Sequence, residues 1–407
     1  MIKLLQNRNF SLLFIGQLIS QLGDFGLTIA LPFYVYQLSG SPLATALTYV
    51  TRALPMFFVG PIAGVFVDRW NLKRTMWIAN LSSALVLLPG FYVTSVRWIW
   101  LLWLGSLLES SCNRFFNPAK QSFIPQLVRK EELVEANGFS SMIESIAQIL
   151  GPILAGGLAV WIGFQSILLI DIGSYLISAL CIFFITGSVN NQSKVGNRQH
   201  HTVWMEFKDG LAVMVKFQKI RVLCITVMMF MISQGIIDAL IVVSISVVLH
   251  GNQSVLGYAE ASQGAGMVIT GLMMGWVKRY ISYENMFAWG LLGVGLSFMI
   301  GFNADRLFIL LPALLITGLF TTMQMVGYRT LLQVETPPET RGRIFASVTS
   351  LMSMSAILAS FVSGALAQVL PIHFFFNLAS LALISAGTFA SVMFLKLKGQ
   401  DSPVKKV

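Results

Sequence analysis

The chain has 407 residues, 56% of them hydrophobic and only 11% charged. Soluble domains run about 45–50% apolar and about 25% charged. A soluble chain of this length could neither bury so much apolar side chain nor cover itself with so little polar surface. A soluble enzyme, a disordered protein and a disulfide-built secreted domain are therefore set aside in favour of a multi-span membrane protein. The net charge is +10, from 27 Lys and Arg against 17 Asp and Glu. In a soluble chain that would point to nucleic acid. Here the basic residues fall in short segments between apolar runs, which points to a lipid bilayer and to no nucleic-acid partner.

A helix needs about 20 apolar residues to cross a hydrocarbon core of about 30 Å. Runs of this kind predict twelve spans, at 11–38, 43–67, 75–94, 98–119, 138–162, 165–187, 221–249, 255–277, 284–302, 306–331, 344–370 and 373–396. The first is too long for a signal-peptide core and no small-residue cleavage site follows it, so it is expected to stay as a membrane helix. Twelve spans put both termini on one side. With the N-terminus inside, the inner segments hold most of the basic residues, among them Arg69, Lys73, Arg74, Arg129, Lys130, Lys278 and Arg279. The outer loops hold only Arg97 and Arg306. That bias places both termini in the cytoplasm, in a bacterial cytoplasmic membrane. The cysteines, Cys112, Cys181 and Cys224, lie in apolar runs and form no disulfide or ligand pattern. His200 and His201 read as a solvated pair, so no metal and no cofactor is expected.

The polar stretch 188–219 divides the chain into a six-helix bundle at 1–187 and a second at 220–407. Its first part reads as a flexible cytoplasmic linker, and its second as a helix lying along the inner membrane surface. The halves echo each other at a nearly constant offset. Ile19-Ser20-Gln21 with Asp24 matches Ile232-Ser233-Gln234 with Asp238, and Gly64 to Arg69-Trp70 matches Gly275 to Arg279-Tyr280. Two six-span halves of the same orientation make a parallel repeat, which is a transporter architecture.

The loop after the second span runs from Gly64 through Asp68, Arg69 and Asn71 to Lys73 and Arg74. It resembles the signature loop of the major facilitator superfamily, with Asn71 where the family has glycine. Asn tolerates a left-handed turn, so the departure is mild. Asp68 and the start of the eleventh span both lie at the inner surface, and Asp68 suits both a helix N-terminus and an arginine, so a gate is expected in which Asp68 meets that start near Arg341 and Arg343 when the inner side is closed. In the fifth span, Ala147, Gly151, Pro152, Ala155, Gly156 and Gly157 are similar to the motif of the exporter branches of that superfamily. Their spacing puts small residues on one helix face, where a second helix can pack closely. The opening Asn7-Arg-Asn-Phe10, and Asn117-Pro118-Ala119 with Ile124-Pro125, resemble the macrolide-efflux and siderophore-export group.

Ionisable groups in a bilayer core are costly, and they line cavities or pair with one another. Asp24, Glu109, Glu144 and Asp238 are the candidates for proton coupling, and Arg52 and Arg114 for charge pairs, as Asp24–Arg52 and Arg114–Glu144. Asp171 is placed near the outer end of its span, as a brace. The cavity wall is expected to be apolar and aromatic, with Gln21, Tyr34, Phe57, Met231, Gln234 and Met325 as candidates.

The resulting expectation is an all-α major facilitator fold and a monomeric, non-enzymatic secondary active exporter. It would exchange lipophilic or amphipathic, drug-like or macrolide-like small-molecule substrates for protons by alternating access, as a multidrug antiporter does. No phosphate-binding loop of the form GxxxxGK[ST] supplies an ATP-driven engine. A siderophore or metabolite exporter, an uptake symporter, a lipid flippase, and a transporter-like receptor or scaffold remain as alternatives. The topology is checked by cysteine labelling from outside intact cells. A cysteine beside Arg97 or Arg306 should be modified and one at position 192 spared; labelling at 192 would invert the orientation.

Overall fold

A computed structural model describes residues 4, 6–67, 69–129, 132–186, 218–304, 306–336 and 341–400. The regular structure among them is helical. Helix α1 (Arg8–Ser39) begins at Asn7, whose side-chain oxygen accepts the backbone N–H of Asn9 at 3.1 Å and of Phe10 at 3.3 Å. This satisfies donors that a helix start leaves open. The same two asparagines tie α1 to its neighbours. Asn7 Nδ2 donates to the Leu127 carbonyl at 2.8 Å, and Asn9 Nδ2 to the Thr186 carbonyl at 2.6 Å. The opening motif therefore acts as a cap and a clamp on two other helix ends.

The second apolar run is broken into α2 (Pro42–Ala53), α3 (Pro55–Phe58) and α4 (Gly60–Val67). A proline lacks the N–H that would continue a helix, which accounts for the break at Pro55. Helix α5 (Leu72–Leu87) is capped by Asn71, whose side chain accepts the Arg74 N–H at 3.0 Å. Asn71 has φ −69° and ψ 112°. It occupies extended backbone as a helix cap, and the left-handed turn expected there is not formed. Helix α6 (Ile99–Leu127) runs two turns beyond its expected end. Helix α7 (Leu133–Phe183) holds the fifth and sixth runs as two arms that meet at Gly163, where φ is 74° and ψ 168°. Only glycine takes that conformation without strain, so this residue makes the corner. The remaining helices are α8 (Gln218–Val247), α9 (Gln253–Val277), α10 (Tyr283–Phe302), α11 (Leu307–Glu335), α12 (Arg341–Leu366) and α13 (Ile372–Gln400).

With α2–α4 as one span and the two arms of α7 as two, the order gives twelve spans. Eight of the helical segments among the described residues are long and apolar enough to cross a membrane on their own. The second span is not one of them because it is interrupted, and α6 is not because Glu109, Asn113 and Arg114 lower its hydropathy. The surface helix expected near the end of the linker, and Asp68, lie outside the described residues.

The chain forms two units, Met1–Gln199 with Gly251–Tyr258, and His200–His250 with Ala259–Val407. In the first, α1 lies along α7, while α5 packs against α6 and α7 and α2 against α1 and α6. Two apolar clusters form there. One gathers Phe10, Phe14, Met76, Phe123 and Ile182, and the other Leu27, Leu31, Leu87, Leu102 and Leu168. In the second unit α10 packs against α11 and α13, and α8 against α12 and α13. Ser360 Oγ donates to the Gly235 carbonyl at 2.8 Å, and Lys219 pairs with Glu335 at 3.1 Å.

The contact between α1 and α7 depends on Gly151. A Cβ built on it would lie 2.3 Å from the Cβ of Phe25, well inside contact distance. A Cβ on Gly173, farther along α7, would meet nothing within 4 Å. Gly151→Val should therefore destabilise by roughly 1–3 kcal/mol through overpacking, while Gly173→Ala should not lower the melting temperature. Thermal unfolding of the detergent-solubilised variants checks both, and an unchanged melt for Gly151→Val would refute the close α1–α7 approach.

Candidate functional site

Polar side chains recur at helical spacing on three helices of the first unit. On α1 they are Gln17, Gln21, Asp24 and Thr28; on α6, Glu109, Asn113 and Asn117; on the second arm of α7, Asp171, Tyr175 and Ser178. Residues three and four apart share a helix face, so each set is one stripe. In sequence the middle of each of two stripes falls between the residues of the two apolar clusters: on α1 Gln17, Gln21 and Asp24 lie between Phe14 and Leu27, and on α6 Glu109 and Asn113 lie between Leu102 and Phe116. Packing those clusters brings the stripes together as one polar layer.

The layer opens on a cavity of about 270 Å³. Helix α1 contributes Gln17, Ser20, Gln21 and Asp24, α2 contributes Arg52, and α5 contributes Asn80. Helix α6 contributes Glu109, Ser110, Asn113, Arg114, Phe116 and Asn117. The wall is thus polar and charged, with Phe116 as the apolar exception, and the apolar, aromatic wall expected from composition is not what lines it. Amides and charges converge here because the alternative, facing lipid, leaves them unsatisfied.

At the back of the cavity lies Tyr175, 1% exposed. Its hydroxyl is hydrogen-bonded to Asp24 Oδ1 and, at 2.7 Å, to Glu109 Oε1. Asn113 Nδ2 donates to the same Glu109 oxygen and, at 3.3 Å, to the Tyr175 oxygen. Asp171 lies one turn before Tyr175 and is fully buried against Gly23, the neighbour of Asp24. Its Oδ2 has no partner among the described residues. Asp171 is therefore level with the acidic cluster and does not sit as a brace at the outer end of its span.

The structure brings Asp24 and Glu109 together, a contact the sequence reading did not anticipate, and the expected Asp24–Arg52 pair is not formed. Tyr175 reaches Asp24 instead, and the Arg52 guanidinium faces the cavity with no ion pair or hydrogen bond among the described residues. Arg114 also lines the cavity, and its Nε has no partner among the described residues. The side chain of its expected partner Glu144 lies outside the described residues. Asp238 belongs to the second unit, where it accepts a hydrogen bond from Gln234 Nε2 at 2.7 Å.

Of the cavity candidates Gln21 lines the cavity, and Tyr34, Phe57, Met231, Gln234 and Met325 do not. Tyr34 is engaged elsewhere: it stacks on Phe164 with ring centres 4.1 Å apart and donates to the Val93 carbonyl at 2.6 Å. Phe57 sits on the four-residue α3, Met231 and Gln234 on α8, and Met325 is 41% exposed on α11. In the gate loop, Lys73 Nζ donates to the carbonyls of Phe183 at 2.9 Å and Ile185 at 2.6 Å. A cation there satisfies the carbonyl end of α7. Arg69 and Arg74 are exposed. The side chains of Arg341 and Arg343, like those of Pro152, Ala155, Gly156 and Gly157, lie outside the described residues, whereas Ala147 and Gly151 are buried.

Tyr175 escaped the sequence reading because tyrosine is ordinary in apolar runs. The signal that marks it is the spacing Asp171, Tyr175, Ser178, a polar stripe within a membrane helix.

The sequence matches the family described as "Transmembrane secretion effector" over residues 3–405. The chain belongs to this family of major facilitator transporters. It is 26% identical to the MFS-type transporter YfiS of Bacillus subtilis, over 91% of this chain and 90% of that one. It is 25% identical to macrolide efflux protein A of Streptococcus pyogenes, over 92% of this chain and 93% of that one. Two solved structures share the fold. A bacterial homologue of the iron transporter ferroportin, inward-facing, superposes with a TM-score of 0.73 at 17% identity, covering 96% of this chain and 98% of that one. The nucleoside transporter NupG superposes with a TM-score of 0.76 at 14% identity, covering 95% and 99%.

In this secretion effector the acids are held by Tyr175 and Asn113, and Arg52 is not part of that bonding. Arg52→Gln should therefore fold, with a melting temperature within roughly 2–4 °C of the parent. Loss of the folded protein in that variant would show that Arg52 braces the helices.

Proposed function

We propose that this secretion effector is a proton-driven exporter of amphipathic small molecules in the bacterial cytoplasmic membrane, with both termini in the cytoplasm. The observation that carries this is the convergence of Asp24 and Glu109 on one polar cavity within the membrane helices. Intramembrane carboxylates facing a cavity mark ion and proton pathways. The macrolide efflux protein among the relatives supports the outward direction and a drug-like substrate.

The coupling follows from competition. A substrate that presents a cationic amine is held best when the acids are ionised, and protonation from the outer side then favours its release. One conformational cycle exchanges proton for substrate, and no nucleotide is consumed.

A second reading has its own observation. Arg52 and Arg114 also face the cavity without ion pairs among the described residues. A substrate with an anionic head held by them would bind together with the proton rather than against it, which gives symport.

Reconstituted vesicles with an imposed pH gradient, radiolabelled erythromycin and an internal pH dye separate the two. Antiport moves proton and probe in opposite directions, and symport moves them together. In the antiport case Asp24→Asn should lose gradient-driven movement at least about tenfold and keep probe exchange, because exchange needs no net proton transfer. Full driven transport in Asp24→Asn would remove Asp24 from the coupling.

A further inference from the structure

The Tyr175 hydroxyl has one proton and two carboxyl oxygens in hydrogen-bond contact, Asp24 Oδ1 and Glu109 Oε1. A phenol can donate only once, so the second contact is a bond in which a carboxyl group donates to the phenol oxygen. The trio therefore holds one proton more than two carboxylates and a phenol hydrogen would supply. Asn113 Nδ2 donates to Glu109 Oε1 as well, which makes that oxygen the acceptor of both neighbours. The remaining donor is Asp24.

Resting on the reading of this cavity as the coupling site, we infer that Asp24 and Glu109 hold a single proton between them through Tyr175, with Asp24 carrying it in the arrangement seen. Tyr175 is the positioning residue that makes the two acids one proton site. It also provides a route between α1 and α6. As the Asp24 O–H bond breaks, its proton goes to the Tyr175 oxygen, and the phenol's own proton goes to Glu109 Oε1. Asp24 is left as the carboxylate, Glu109 becomes the acid, and Tyr175 ends as a neutral phenol, so protons and charge balance with no other reactant. Glu109 is 2% exposed and Asp24 is half-buried on the cavity wall. The transfer thus moves a proton between two acids of the cavity lining on different helices, of which Glu109 is the more deeply buried. The other titratable or charged groups facing the trio are Arg52 on α2, Cys112 and Arg114 on α6, and Asp171 on α7, with neutral Asn80 from α5.

A direct test needs no substrate, so it stands apart from the transport assay above. The purified protein in detergent is titrated while the infrared band of protonated carboxyl groups is followed. Two acids that share a proton titrate in two well-separated apparent steps. Tyr175→Phe keeps the ring and removes the bridge, and it should bring the steps together by roughly one to two pH units, the strength of a hydrogen bond to a charged group. Asp24→Asn and Glu109→Gln each leave one acid of the pair, so each should replace the two steps by a single one. Unchanged spacing in a Tyr175→Phe protein that elutes as the parent does would overturn the shared proton. Two separated steps that persist in Asp24→Asn would overturn Asp24 as one of the two acids. Failure of erythromycin transport with this titration pattern intact would count against the exporter reading alone.

Discussion

A polar group inside a bilayer must find its partner within the protein, because the surrounding hydrocarbon offers none. The first half of the chain is organised around that requirement. Its helices carry stripes of amides, acids and cations at mid-length, and the stripes can be satisfied only by facing one another. The Tyr175 hydroxyl closes the arrangement by contacting acids from α1 and α6 at once. Apolar clusters fall on either side of the layer along the helices, so burial of Phe10, Phe14 and Phe123 and burial of Leu27, Leu31 and Leu168 hold the same polar groups in register.

Close helix approach is the second condition. Hydrogen bonds of about 2.5–3 Å between side chains on different helices require backbones to come near. Gly151 and Gly23 supply that on the α1–α7 contact. The helix ends are then tied by side chain to backbone bonds. Asn7 and Asn9 hold the ends of α6 and α7, and Lys73 holds the carbonyls that finish α7. The loop residues shared with the superfamily thus have a local structural task as well as any role in gating.

Fold and function separate cleanly in this architecture. The solved structures with the same fold include a nucleoside transporter and a ferroportin homologue at 14% and 17% identity. An architecture shared by such different cargoes does not select one. In the function proposed above, selection falls to the side chains that line the cavity. Here these are amides, two arginines and two acids, a set suited to a polar head group and to a proton that is bound in one state and released in another.

The sequence alone determined the class of protein, the number of spans and the repeat, because composition, run length and charge bias report how each residue meets lipid or water. Most helix limits fell within a few residues for the same reason. It also identified Asp24, Glu109, Arg52 and Arg114, since a charge in an apolar run is conspicuous at once. What it left open was who meets whom. Depth along a helix does not say which face a side chain takes, so Asp24 was matched with Arg52 when its partner is Tyr175. Of the wall candidates only Gln21 lines the polar cavity of the first unit, because phenylalanine and methionine are abundant wherever helices meet lipid, while this cavity is built mainly from polar side chains that cannot face it. Asn71 shows the local limit: its residue type suits both a left-handed turn and a helix cap, and the path of the chain into α5 chose the cap. Contacts between residues more than a hundred positions apart, such as Tyr175 with Asp24, depend on helix rotation and packing, and only the tertiary structure decides those.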